Sequence, residues 1–198
     1  MHLSKEVLQK FYTVEKNSVS IIAKKFRCSE HKINYWLAEF KIPKRSISES
    51  VYLYHNPKGD PFNVLLPKTI DDAFLFGLGL GLYWGEGNKK NKLSIRLGNT
   101  DPKLVRKFVE FLIKICGIKK EKIRFGLQIF SDMQPGEVLK FWQHELRASR
   151  NQFFRKVIVT PARSLGTYHQ KTEHGVLTVY YGNKKLRDII CQMIENMK

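Results

Sequence analysis

The chain has 198 residues, the length of one medium domain or of one domain with a small module. A hydrophobic fraction of 42% can fill a core, which excludes intrinsic disorder. Lys and Arg number 35 against 18 Asp and Glu, and the excess is spread along the chain: 10 against 4 up to Ser48, 25 against 14 beyond it. Such a charge points to a polyanion as partner, and nucleic acid is the first candidate.

Apolar residues at helical spacing begin at once. Val7, Leu8, Phe11 and Tyr12 form a stripe behind Ser4, a helix cap. A second helix opens at Ser18 or Ser20 and turns Val19, Ile22, Ala23 and Phe26 inward. The turn Arg27-Cys28 leads to Ser29, the cap of a third helix that buries Ile33, Trp36, Leu37 and Phe40 and is closed by Pro43. The stretch "SIIAKKFRCSEHKINYWL" resembles the helix-turn-helix of resolvases and small transcription factors, with Arg27 where that family usually has Gly. The resemblance implies a third helix in the major groove. Ser29, Glu30, His31, Lys32, Asn34 and Tyr35 then face base edges and nearby phosphates, Glu30 suiting cytosine and Asn34 adenine. Lys24, Lys25 and Arg27 suit phosphate. An ordinary helical hairpin is the plain alternative.

Residues 49–68 read as a linker between a module over 1–48 and a domain over 69–198. Ser, Pro, Gly and Asn separate small apolar clusters, of which Val51, Leu53 and Tyr54 suggest one short strand and Val64 to Leu66 another. The segment either lies partly on the second domain or is flexible.

From Thr69 a helix carries Asp71 and Asp72 in its first turn, where the helix dipole favours acids. Gly77, Gly81 and Gly85 share one face of it. Each costs on the order of 1 kcal/mol against Ala, so the face predicts close approach of another backbone. A strand with Leu93, Ile95 and Leu97 on one side and Lys92, Ser94 and Arg96 on the other follows. Asn99 to Asp101 and Pro102 open a helix that Gly117 ends. Next come a strand alternating Phe125, Leu127, Ile129 with Arg124, Gly126, Gln128, and a helix from Pro135 to about Leu146. Strand-like sequence at "GVLTVYYGN" and a helix at "KKLRDIICQMIENM" complete the order.

The segment "GLGLYWGEG", Gly79 to Gly87, resembles the LAGLIDADG motif, an apolar small-residue helix ending in an acid and Gly. Glu86 takes the place of the family's last acid and Trp84 that of its earlier Asp. With "NTDPKLVRKFVEFL", "KFW" and the order of elements, residues 69–198 resemble the single-motif LAGLIDADG homing endonucleases. The resemblance implies an α+β fold whose mixed α/β domain has a curved antiparallel DNA-binding sheet, preceded by a small all-α module. It also implies a homodimer paired through Gly77, Gly81 and Gly85. Mg²⁺ would be held by Glu86 and the Gly85 carbonyl, with Glu86 and Lys171 as catalytic residues. Lys89, Lys90, Lys92, Arg96, Arg124 and Gln128 would line the DNA saddle. The expected function is sequence-specific, Mg²⁺-dependent cleavage of double-stranded DNA. The alternatives are a non-cleaving transcriptional regulator on the same fold and an RNA-splicing maturase, which the helix-turn-helix suits less well.

Cys28, Cys116 and Cys191 are scattered, odd in number and without zinc spacing, so they read as small core residues of a reduced, intracellular protein. The polar start from Ser4 predicts no signal peptide. The most apolar run, Ala73 to Trp84, falls short of the roughly 20 residues a bilayer span takes, so no membrane contact is expected.

Overall fold

Three serines open the first three helices. Ser4, Ser18 and Ser29 accept hydrogen bonds from the amides of Val7, Ile21 and Lys32 (3.4, 3.2 and 3.3 Å). They cap α1 (Lys5–Gln9, extended by a π-helical turn, Lys10–Val14), α2 (Val19–Lys25) and α3 (Glu30–Glu39). The computed structural model describes residues 3–161 and 172–197, and the chain divides into two units, Met1–Pro61 and Phe62–Lys198. The division falls inside the segment read as a linker.

The first unit closes over Leu8, Tyr12, Ile22, Ala23, Ile33 and Leu37. Val7, expected inside, is 37% exposed, because the buried line of α1 runs through Leu8 and Tyr12 instead. Trp36 and Phe40 are half-buried at the edge of this core. Helix α2 ends with Arg27 at φ +48°, the left-handed conformation that Gly usually supplies. The Arg27 amide bonds the Lys24 carbonyl and the Cys28 amide that of Ala23, which satisfies the helix end without glycine. Lys41 ends α3 in the same way. The non-glycine residues at positive φ among those described are Lys16, Arg27, Lys41 and Arg147. A cation at a helix C-terminus recovers part of the left-handed cost.

Arg45 fastens the end of this unit, a role with no motif to announce it. Its guanidinium lies 4.1 Å from the centre of the Tyr12 ring and donates to the carbonyls of Lys16 and Asn17, while its amide donates to the Tyr12 hydroxyl. The strand expected at Val51, Leu53 and Tyr54 is instead part of α4 (Ile47–His55). Ser46 caps it by accepting from the Glu49 amide, and an isolated strand there would have had no partner for its backbone. No residue of α4 is buried.

The second unit begins by fastening its own entry. Phe62 is buried in the second core, and the amides of Asn63 and Leu65 donate to Cys116 and Ile115 (3.0 and 2.8 Å). These two bonds hold Val64 to Leu66 against a helix end, and no strand forms. The elements that follow are α5 (Ile70–Glu86), β1 (Ile95–Asn99), α6 (Pro102–Lys114), β2 (Arg124–Phe130), α7 (Pro135–Leu146), β3 (Ile158–Thr160), β4 (Val176–Tyr181) and α8 (Lys184–Glu195). Thr69 and Asp101 cap α5 and α6, and Gly117 turns at φ +64° just past the end of α6.

The fold is α+β, and its sheet is mixed rather than purely antiparallel, in the order β1-β4-β2-β3. β4 is antiparallel to both neighbours, whereas β3 is parallel to β2. The crossover helix α7 between β2 and β3 explains this, since a strand–helix–strand connection returns the chain in the same direction. Ile95, Leu97, Phe125, Leu127, Ile129, Leu177, Val179 and Tyr181 point to the helices and build the core with Tyr83, Phe108, Phe111 and Trp142. β1 is shorter than the alternation suggested. Leu93 is 68% exposed, and Ser94 is buried beneath the Asn91 side chain, which accepts from the Leu93 and Ser94 amides and from the Ser94 hydroxyl.

Cys116 is buried, and burial pushes its thiol up to about 12; Cys28 and Cys191 are half-buried, and all three are unpaired. Among the described residues no helix is long and apolar enough to cross a membrane.

Within the chain the glycine that permits close packing is not on the predicted stripe. A Cβ at Gly79 would fall 2.1 Å from the ring of Phe111 on α6, whereas one at Gly77, Gly81 or Gly85 meets nothing within 4 Å. Gly79→Ala should therefore destabilise by about 1–3 kcal/mol through overpacking. Gly81→Ala should cost nothing and gain up to about 1 kcal/mol of helix propensity. Urea unfolding of dilute protein tests both; equal midpoints for the two variants would contradict the packing described.

Candidate nucleic-acid interface

Alternation places every second strand residue on the sheet face away from the helices. Register then joins them into rows. Arg96 of β1, Tyr180 of β4 and Arg124 of β2 form one row; Gly98, Thr178 and Gly126 form the next; Val176, Gln128 and Ile158 form a third. None of the four strands contains an acidic residue. The Arg96 guanidinium lies 5.3 Å from the centre of the Tyr180 ring, and Phe154 meets that ring edge-on at 5.1 Å. Gly126 lets both rings lie over the strand, since a Cβ there would come within 2.9 Å of Tyr180 and 3.5 Å of Phe154. The result is an arginine–aromatic surface on the open face of a sheet.

Glu86 enters at one edge of this surface. Two helical turns separate it from Gly79, so it falls on the side of α5 that packs inward. Its side chain is nevertheless exposed, at the last residue of the helix. Gly87 ends the helix and bridges to Leu97, and the Asn88 amide donates to the Arg96 carbonyl (2.8 Å). The acid therefore directly precedes the backbone bridge to the β1 edge, where Asn88 rather than Glu86 stands opposite Arg96. Arg124 lies two strand spacings further, about 10 Å.

The loop after Glu86 is built rather than slack. The Lys89 ammonium donates to the Trp84 carbonyl and so neutralises the negative end of α5. Asn91 organises the turn, and Arg187 of α8 reaches across to donate to the Lys89 carbonyl (2.8 Å). Arg187 is buried, pairs with Asp188 at 2.9 Å, and its Nε has no partner among the described residues. Burial pushes the nearby Tyr83 phenol up, the Cys191 thiol adds to this, and Arg187 opposes it. Among the described residues no three His, Cys, Asp or Glu side chains converge as metal ligands.

The predicted saddle residues separate into groups. Arg96, Arg124 and Gln128 share the sheet face, where Gln128 donates to the Thr160 hydroxyl. Lys90 and Lys92 are exposed in the loop, while Lys89 is engaged at the helix end. Lys171 lies outside the described residues. Gly81 and Gly85 are exposed and Gly77 is half-buried, on an outward face of α5 that also carries Ile70, Phe74 and Trp84. Tyr180, Phe154, Arg150 and Arg155 were missed. Tyr180 alternates outward in "LTVYY", a signal that was available, whereas the other three lie in a turn without periodicity.

In the first unit Ser29, Glu30, His31, Lys32 and Tyr35 are exposed along the start and outer face of α3, and Asn34 is half-buried. The Asn34 amide donates to the Glu30 carbonyl (3.0 Å), a bond it must give up to read a base. Lys32 lies over the Trp36 ring and Lys25 over that of Phe11, while Lys24 and Arg27 are exposed. No family model matches the chain, and neither a curated protein nor a solved structure matches it.

Arg187 is the cross-link between α8 and the Glu86 loop. Arg187→Met should keep the fold but release that loop, so trypsin should cut after Lys90 or Lys92 several-fold faster than in the wild type. An unchanged cleavage rate would remove Arg187 from this role.

Proposed function

We propose that the protein is a sequence-specific DNA endonuclease of homing type, acting as a homodimer. The observation that carries this reading is the acid-free sheet face with its Arg96–Tyr180–Arg124 row, bordered at one edge by Glu86. Guanidinium groups on such a face suit the phosphates of a duplex laid across it, and the charge of +17 draws the duplex in. The α2–α3 pair acts as a helix-turn-helix. Its exposed Ser29, His31, Lys32 and Tyr35 read the major groove, and Lys24, Lys25 and Arg27 hold phosphates. The left-handed Arg27 supports this reading, because it preserves the backbone turn that Gly gives in that motif.

The exposed face of α5 supports pairing of two copies. Its small residues let a second helix approach closely, and Ile70 and Phe74 stand exposed on it. Each copy brings one Glu86. Mg²⁺ held by Glu86 and the Gly85 carbonyl would activate water and stabilise the leaving oxygen. Glu86 holds the charge at the sheet edge, and the arginine row holds the strand beside it.

Glu86→Gln keeps shape and removes charge. Cleavage of a selected site in Mg²⁺ should fall by at least about 10²-fold, while a gel-shift titration shows binding kept or tightened. Unchanged cleavage would refute the chemistry; tight binding without cleavage by the wild type would favour a transcriptional regulator.

Gly81→Leu tests the pairing. It should fold as the wild type does, since its site is open within the chain, yet sediment as a monomer and lose double-strand cleavage. A wild type that sediments as a monomer, with DNA or without it, would overturn the dimer.

A further inference from the structure

Beyond the sheet edge at β2 lies an open pocket of about 540 Å³, lined by Arg124, Arg150, Asn151, Phe153, Phe154 and Arg155. Its volume falls in the range of small-molecule sites. β3 covers β2 only from Gln128 to Phe130, so the other half of that edge is taken by the turn at 150–155. There the Phe154 amide donates to the Phe125 carbonyl (2.8 Å) and Phe153 bridges to Phe125. This turn brings the guanidinium groups of Arg150 and Arg155 to the same space as that of Arg124 on β2. Arg124 and Arg150 each spend one nitrogen on a backbone carbonyl, Arg124 on Glu121 and Ile123, Arg150 on Phe153. That fixes them and leaves most of their donors unspent. Arg155 makes no hydrogen bond or ion pair among the described residues, and neither Arg124 nor Arg150 has a carboxylate partner there. Asn151 accepts from the Ser149 hydroxyl, which leaves its amide group as a donor. Over the same space stands Phe154, 46% exposed and held edge-on against Tyr180.

Three guanidinium groups without a carboxylate partner among the described residues call for an anion with several oxygens, such as a phosphate. An exposed phenyl ring fixed at its edge offers a face to a planar group, and base stacking on such rings is a common way to hold an unpaired nucleotide. We infer that this pocket binds one unpaired nucleotide, its phosphate on Arg124, Arg150 and Arg155 and its base stacked on Phe154. The nucleotide is a single-stranded residue at the end or opening of the DNA laid on the sheet, a source that rests on the proposed DNA binding. Free mononucleotide is the other source with the same chemistry.

The test uses full-length protein, with Phe154→Leu and Arg155→Gln as variants. Neither side chain is buried, so both variants should fold. The probes are a blunt hairpin duplex, the same hairpin with a three-nucleotide single-stranded end, and dAMP. Anisotropy titration should show the tailed hairpin bound about tenfold more tightly than the blunt one, the size of one base–aromatic stack. Phe154→Leu should erase that difference, weakening the tailed hairpin more than the blunt one. Arg155→Gln should weaken the tailed probe more than the blunt one. If dAMP binds, Phe154→Leu weakens it and the tail gains nothing, the pocket stands with free nucleotide as its ligand. Equal binding of both hairpins together with no binding of dAMP overturns the inference. Binding of the tailed hairpin or dAMP without any binding of the blunt hairpin would overturn the duplex reading and keep the pocket.

Discussion

The approach of α5 to α6 at Gly79 sets the layout of the second unit. Phe111 occupies the space a side chain at position 79 would need, so the two helix backbones come closer there than any other residue would allow. This contact chooses which face of α5 turns inward, bringing Leu75, Leu80 and Tyr83 into the core. The opposite face, with Ile70, Phe74, Gly77, Gly81 and Trp84, is thereby turned outward. The same choice puts Glu86, two turns beyond Gly79, on the side where the chain crosses to β1. Gly87 can then bridge to Leu97, which ties the acid to the edge of the sheet.

Charge is segregated on this frame. Glu145 pairs with Arg106, Glu110 with Lys107 and Lys114, and Asp188 with Lys184 and Arg187, all on helices. Apart from the pair made by the buried Arg187, exposed pairs of this kind stabilise the fold little. Their effect on the field is larger, because these carboxylates are engaged on the helices, while Arg96, Arg124, Arg150 and Arg155 form no ion pair among the described residues. Cations and two aromatic rings over Gly126 make a surface of the kind that attracts phosphates and bases.

Much of this frame was readable in the residues before any coordinates. The caps Ser4, Ser29, Thr69 and Asp101 and the stops at Gly117 and Pro43 delimit helices by local backbone chemistry. The alternation in "RFGLQIF" states which side chains of β2 face out. What periodicity does not carry is pairing across strands. That Arg96, Tyr180 and Arg124 form one row depends on long-range register, and the parallel placement of β3 depends on the path of α7. Short apolar runs are ambiguous in the same way: Val51 to Tyr54 suit strand or helix until the Ser46 cap decides. The glycines of α5 were seen to share a face, yet spacing cannot say which face meets a neighbour; the size of Phe111 does.

The central claim is that DNA lies on both the outer side of α3 and the open face of the sheet. Photocrosslinking to a selected duplex carrying iododeoxyuridine, read by mass spectrometry of the tryptic peptides, tests it most directly. The account predicts adducts on Tyr35 in the first unit and on Tyr180 or Phe154 in the second. Adducts confined to the first unit, or falling on the helical side of the second at residues such as Phe141, would contradict it.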